Sequence, residues 1–501
     1  MKLLSILFVI FLLLPGDVMP STEFDANCRK AYQEILSLKF KDAKTIINSE
    51  LKSNPSNTLT FLLENYIDFL TVMIGEEEKD LESLRNKRDY RLQQLARGDP
   101  SSPWYLYSQA DIYLQSGFAR VKFGEYISAG LDIDRARRLL EDNDSKFQDF
   151  VPNKLRLGLL HSLVGTVPEK YQWAVKALNF EGTIPQGLSE LRQAYKACTQ
   201  FRQFDFLLPE AAFFLSFVSM NLSGDKNAIL NIENEFSKPP LFQLINESPL
   251  LRYCLASMKI KTGKNDEAIS LLSAYHPSSS SYPFHYLDYL LGVSKLNRLD
   301  PDANMPLLKY VAEFRGLNYI RSAYQHIAWF YFLQNNQEMY TRYMDRIKLR
   351  GNNNVDNDKQ SFKDSELHIK PDPYLLKARL LFDGGYYEQA LMELGKFESS
   401  DGFSNQDRRL ELTYRKGRIF DEWGKKDEAI HWYDETIQNG ENDPSYFAAN
   451  SALHLGMIYE NMHQYQKART KYQKCLDMKF EEYNFSIQQK AKSGINRIKG
   501  L

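Results

Sequence analysis

Tyr414-Arg415-Lys416-Gly417-Arg418-Ile419-Phe420, then Gly424, then Asp427-Glu428-Ala429-Ile430, is the stretch that decides the fold. A glycine is followed three residues on by a large side chain, seven on by a second glycine and twelve on by alanine. That spacing describes two helices packed closely across a tight turn. The small residue on the first helix lets the second approach, and the alanine on the second accepts that approach. Gly424 stands where a helix must end in left-handed backbone, which glycine adopts without a Cβ penalty.

The pattern continues on both sides. Ala378, Gly417 and Gly456 align at steps of 39 residues. Each is followed by a large residue (Leu381, Phe420, Tyr459), then by alanine (Ala390, Ala429, Ala468), then by another large residue (Leu394, Tyr433, Tyr472). Gly385 falls in a turn as Gly424 does. Weaker copies lie upstream: Ala256 and Ala268 with Gly263 between and Leu272 beyond, and Ala31 and Ala43 with Ile47 beyond. Asn54-Pro55, Asp99-Pro100, Asp300-Pro301, Asp372-Pro373 and Asp443-Pro444 punctuate the chain, and such pairs stop or start helices. The stretches between have helical period, Tyr105 to Ile133 and Tyr319 to Ile347 among them. Ile487, Ala491, Ile495 and Ile498 share one face of a final helix, as a cap requires. The expected fold is all-α, a solenoid of antiparallel helix pairs with a carboxy-terminal capping helix.

This arrangement resembles the tetratricopeptide repeat family, whose unit of about 34 residues carries small and aromatic residues at these offsets. A looser resemblance, through Lys39-Phe40-Lys41-Asp42-Ala43, the helix Ala110 to Ala119 and Tyr374 to Leu381, is to the tetratricopeptide repeat protein 39 and inclusion-body clearance family. It too implies helix throughout, and only the fold is carried over. The tetratricopeptide resemblance implies that the first helix of each pair lines a concave groove. By offset from the small residues, the exposed groove positions are Arg379, Phe382, Tyr414, Arg418, Asp421, Met457, Glu460 and Asn461. Arg379 and Arg418 are equivalent residues one repeat apart, suited to acidic side chains of a partner. Asp383 and Asp421 are near enough in sequence to pair with them instead. The family's carboxylate clamp uses lysine and asparagine at set places, and Leu375 and Arg379 stand there, so that subclass is not implied.

The expected organisation is a signal peptide over 1–21, divergent helical repeats over 22–348, a polar loop or linker over 349–372, and clear repeats with the cap over 373–501. Met1-Lys2 precedes an apolar run from Leu3 to Leu14 that Pro15-Gly16 ends, the layout of a secretory signal. Export is therefore expected, to the periplasm or cell envelope in a diderm bacterium and otherwise to the outside. No later stretch is long and apolar enough to span a membrane; the richest, Leu207 to Leu222, is short and contains Glu210. Export permits disulfides. Among Cys28, Cys198, Cys254 and Cys475, only Cys198 and Cys254 stand near enough in the repeats to meet, and Cys475 reads as a packed thiol.

The formal net charge of -1 argues against the basic surface that nucleic-acid binding needs. No metal-ligand spacing, phosphate loop or nucleophile elbow occurs. His454 and His463 are nine residues apart, a poor ligand spacing. Asn354, Asp356 and Asp358 alternate like a calcium loop, but Lys359 and Ser365 occupy its glycine and glutamate positions. The expectation is a scaffold for a protein or peptide partner, without catalysis or cofactor. A glycan-binding envelope module is the alternative, and a hydrolase ranks below both.

Overall fold

Eight turns between successive helices use one device. Leu38, Gly124, Gly263, Leu299, Asn335, Gly385, Gly424 and His463 all have positive φ, between 57° and 83°. The next residue's N–H then reaches back to a carbonyl in the last helical turn: Tyr386 to Leu381 at 2.8 Å, Lys425 to Phe420 at 2.9 Å, Gln464 to Tyr459 at 2.8 Å. This satisfies carbonyls a helix end would otherwise leave unpaired and reverses the chain within three or four residues. Gly385, Gly424 and His463 fall at the same 39-residue step as the small residues.

The computed structural model describes residues 22–164, 180–223, 225–367 and 370–498. The expected signal peptide lies outside them. Among the described residues there are 25 α-helices and no strand. None of these helices is long and apolar enough to cross a membrane. Ala31, Ala43, Ala256, Ala268, Ala378, Ala390, Ala429 and Ala468 are all fully buried at helix–helix contacts, as the spacing requires. The capping helix runs Asn484–Arg497, with Ile487, Ala491 and Ile498 buried. All four cysteines are buried free thiols.

Tyr105 to Ile133 and Tyr319 to Ile347 are helical, as their period implies, and each spans parts of two helices. Gly124 divides the first into Pro103–Lys122 and Tyr126–Lys146, and Asn335 divides the second into Ile320–Leu333 and Gln337–Leu349. The expected polar loop over 349–372 contains a helix, Asp356–Glu366. Its polar residues have specific partners. The Asp358 carboxylate accepts N–H groups of Tyr319 (2.6 Å) and Ser322 (2.8 Å) at the start of the next-but-one helix back. Ser361 donates to Gln325 at 2.8 Å, and Gln325 donates to Asp364 at 2.7 Å. Lys363 pairs with Glu482 at 2.8 Å, 119 residues on. The segment ties two parts of the stack together.

The stack also touches itself out of order. Tyr282 donates its N–H to the Leu38 carbonyl at 2.7 Å, and the Ser248 hydroxyl reaches the Leu36 carbonyl at 3.2 Å. Glu76, buried in a left-handed turn, accepts N–H groups of Leu317 (3.0 Å) and Asn318 (2.9 Å) and the Asn318 amide (3.0 Å). Its other oxygen pairs with Lys122 at 2.7 Å. The first two-thirds of the solenoid thus coils until its ends meet.

The turns give a paired prediction. A Cβ on Gly424 would meet nothing within 4 Å, so Gly424→Ala isolates the backbone cost of left-handed alanine, about 1 kcal/mol. His463→Gly removes that cost and adds glycine's extra unfolded-chain entropy, for a net gain of about 0.5 kcal/mol. Urea unfolding followed by circular dichroism measures both. Two shifts of the same sign would contradict the shared geometry.

Candidate functional site

The inner face of the carboxy-terminal pairs gathers three of the eight expected groove residues. On the helix Pro373–Asp383, the Arg379 guanidinium lies 5.0 Å over the Trp329 ring. On Gln406–Glu422, the Arg418 guanidinium lies 5.3 Å over Phe382 and donates to the Tyr414 hydroxyl at 3.2 Å. The Asp383 carboxyl, at the end of the first of these helices, is raised, its desolvation outweighing the pull of Arg379, Arg415 and Arg418. Among the ion pairs of the described residues, neither Arg379 nor Arg418 pairs with Asp383 or Asp421. Arg418 reaches Glu422 at 3.9 Å, and Arg379 has no salt bridge within 4 Å among the described residues. Burial pushes His326, edge-on to Trp329 at 5.1 Å, down to about 4. Arg379 therefore faces a neutral imidazole at neutral pH.

The other five residues are placed differently. Tyr414 was expected to be exposed and is buried, because its ring packs on Phe447 at 5.0 Å and its hydroxyl accepts from Asn450 at 2.7 Å. Asp421 accepts from Tyr433 at 3.0 Å and pairs with His454 at 3.2 Å. Glu460 is held by Arg497 through two contacts of 2.8 Å, so it fastens the cap. Met457 and Asn461 are exposed. Arg415 and Trp329, which the offsets did not select, complete the cluster. Arg415 lies off the chosen register, and Trp329 belongs to an earlier pair.

A second site was not expected. The coiled first part of the solenoid encloses a cavity of about 520 Å³. Its walls are apolar, with Phe69 and Met73 from Leu59–Gly75, Phe118 from Pro103–Lys122, and Phe213 and Phe217 from Leu208–Asn221. Its deep end is a charge cluster. Arg156, 1% exposed, contacts Asp111 at 2.6 Å and Glu210 at 2.9 Å. Tyr32 donates to Glu210 at 2.6 Å, and Tyr66 donates to Asp111 at 2.5 Å. Burial pushes both phenols well up, so they stay donors. Burial also raises the Glu210 carboxyl, against the pull of Arg156. At the mouth stand Glu76, Lys122 and the 42% exposed Val121. The sequence signal was the near-absence of a polar face on Leu59–Gly75 and Leu208–Asn221, since a helix that is apolar all round has two faces to cover.

Among the described residues, two groups have metal-ligand proximity: Asp25, Cys28 and Glu50, and His285, Asp288 and Glu313. The first is engaged by amides, with Asn27 on Glu50 at 2.8 Å, and burial pushes the Cys28 thiol up. In the second, Lys309 already supplies a cation to Asp288 at 3.1 Å.

No family model and no curated protein matches this chain. Among solved structures, the TPR domain of P58(IPK) aligns over 84% of this chain and 95% of that one, at 15% identity and a TM-score of 0.22. The human IFIT1 dimer with PPP-AAAA aligns over 91% and 95%, at 14% identity and a TM-score of 0.28. At those scores neither alignment bears on what this chain binds. Its own spacing and turns make its helix pairs tetratricopeptide-like.

Proposed function

We propose that this protein is a non-catalytic scaffold that holds an acidic protein segment on the inner face of its last three helix pairs. The observation that carries the reading is the pair of ring-backed guanidiniums one repeat apart, Arg379 over Trp329 at 5.0 Å and Arg418 over Phe382 at 5.3 Å. Arg415 is taken up by Glu411, whereas Arg418 has only the long 3.9 Å pairing with Glu422 and Arg379 has no salt bridge among the described residues. Both are backed by aromatic rings, which orient a guanidinium fork and reduce what it loses on binding. The half-buried Phe382 supplies apolar contact beside the charges, and the buried Trp329 backs Arg379.

Cross-linking of the full chain in extract of its source, with the cross-linked residues identified, tests this. Cross-links should concentrate between 373 and 422, on acidic partner segments. Arg379→Ala with Arg418→Ala should lower recovery about tenfold, as the loss of two charge-assisted contacts implies. Equal recovery by the double variant, or recovery of RNA in place of protein, would refute the reading. We also propose export, on the strength of the Leu3 to Leu14 apolar run. An intact Met1 in a membrane pellet would refute that.

A further inference from the structure

We propose that the cavity inside the coiled part of the solenoid binds a small amphiphile with an aliphatic body and a cationic amine head. This site is separate from the arginine groove, and its argument does not depend on that reading.

The volume of about 520 Å³ falls in the range of pockets that enclose small ligands. Aromatic and aliphatic side chains form its walls, and Met73 and Phe217 stand only partly covered there. An aliphatic body removes that surface from water, and burial of this kind is the main source of affinity in such pockets.

The head group follows from the charges. Asp111 and Glu210 face one cation, Arg156; burial, together with the one carboxylate in excess at the deep end, raises the Glu210 carboxyl, and a bound ammonium would favour its ionised form. The mouth is balanced, with Glu76 against Lys122. Over the whole lining, three carboxylates oppose two cations. An ammonium head supplies the missing positive charge in a place where water is scarce and Coulomb interactions are strong. A fatty acid would bring a third carboxylate to Asp111 and Glu210, at a desolvation cost nothing there offsets. A neutral alcohol of the same length keeps the apolar contact and forgoes the charge.

The test uses the full chain with three probes of equal length, 1-dodecylamine, 1-dodecanol and sodium dodecanoate, each below its micelle concentration. Calorimetry and native mass spectrometry read affinity and stoichiometry. One saturable site is expected, with dodecylamine about tenfold or more tighter than dodecanoate and dodecanol between them. Met73→Trp fills the cavity from a wall position and should weaken dodecylamine about tenfold with the helical spectrum unchanged. Glu210→Gln should shrink the preference for amine over alcohol; if that variant does not fold, the probe series and Met73→Trp decide. Dodecanoate binding as tightly as dodecylamine, affinity unchanged by Met73→Trp, or no saturable binding of dodecylamine would each overturn the proposal.

Discussion

Arg156→Ala should destabilise the first part of the solenoid by about 3–5 kcal/mol, the cost of leaving buried carboxylates without their cation. Arg156 is among the largest fully buried side chains, and it comes from the helix Val151–Val164. Its guanidinium contacts Asp111 on Pro103–Lys122 and Glu210 on Leu208–Asn221. Its faces are covered by Tyr107 at 5.6 Å and Phe214 at 5.3 Å. Tyr32 and Tyr66 bring in two more helices through the same carboxylates. Removing the guanidinium leaves two acids that are almost wholly out of water, with only phenols and the Gln115 amide as donors. The reverse experiment separates pairing from packing. Arg156→Met combined with Asp111→Asn and Glu210→Gln removes all three charges and should recover most of the loss. Denaturant midpoints of the single and triple variants give the comparison. A single variant within 1 kcal/mol of the parent, as measured by that midpoint, would contradict the account.

Gly456→Val should cost about 2–3 kcal/mol, through overpacking against Tyr472. A Cβ on Gly456 would stand 2.4 Å from the Tyr472 ring, and one on Gly494 would stand 2.5 Å from the same ring on the capping helix. The ring is held between two glycines and cannot slide aside. Its hydroxyl donates to Glu460 at 2.5 Å, which also anchors Arg497. Moving the ring therefore loosens the cap as well. Tyr472→Val should relieve the clash, so the double variant should be more stable than the two single losses sum to. A strictly additive pair would show that the glycine is not there to admit the tyrosine. Gly417 and Tyr433 repeat the arrangement one unit earlier, at 2.6 Å.

Those glycines were legible because each one recurs. Gly417 and Gly456 share a step, a turn and an aromatic partner, and the physical need for each is met within about 16 residues of chain. Asp358 was not legible. Its alternating acidic neighbours read as a solvated loop, while its partners are backbone N–H groups at Tyr319 and Ser322, which no side-chain pattern reports. The groove residues were legible as positions and less so as roles. Offsets placed Tyr414 and Glu460 on the right helix face, but Phe447 buries the first and Arg497 claims the second. The cavity requires Leu59–Gly75 to face Leu208–Asn221, and no local spacing encodes that meeting. The excess of apolar surface on both helices is visible in the sequence, but it does not say which element covers it.

The contact of Glu76 with Leu317 and Asn318 bears on how the chain can be made and altered. It joins residues 241 apart, so a ribosome adding about 5–20 residues each second leaves Glu76 without its partners for about 10–50 s. An open solenoid can gain or lose one unit and still stack. Here a unit inserted or removed between 76 and 317 would shift the far end by a whole helix pair and part the two sides. Lineages that carry this closure should therefore keep a constant number of units across that interval.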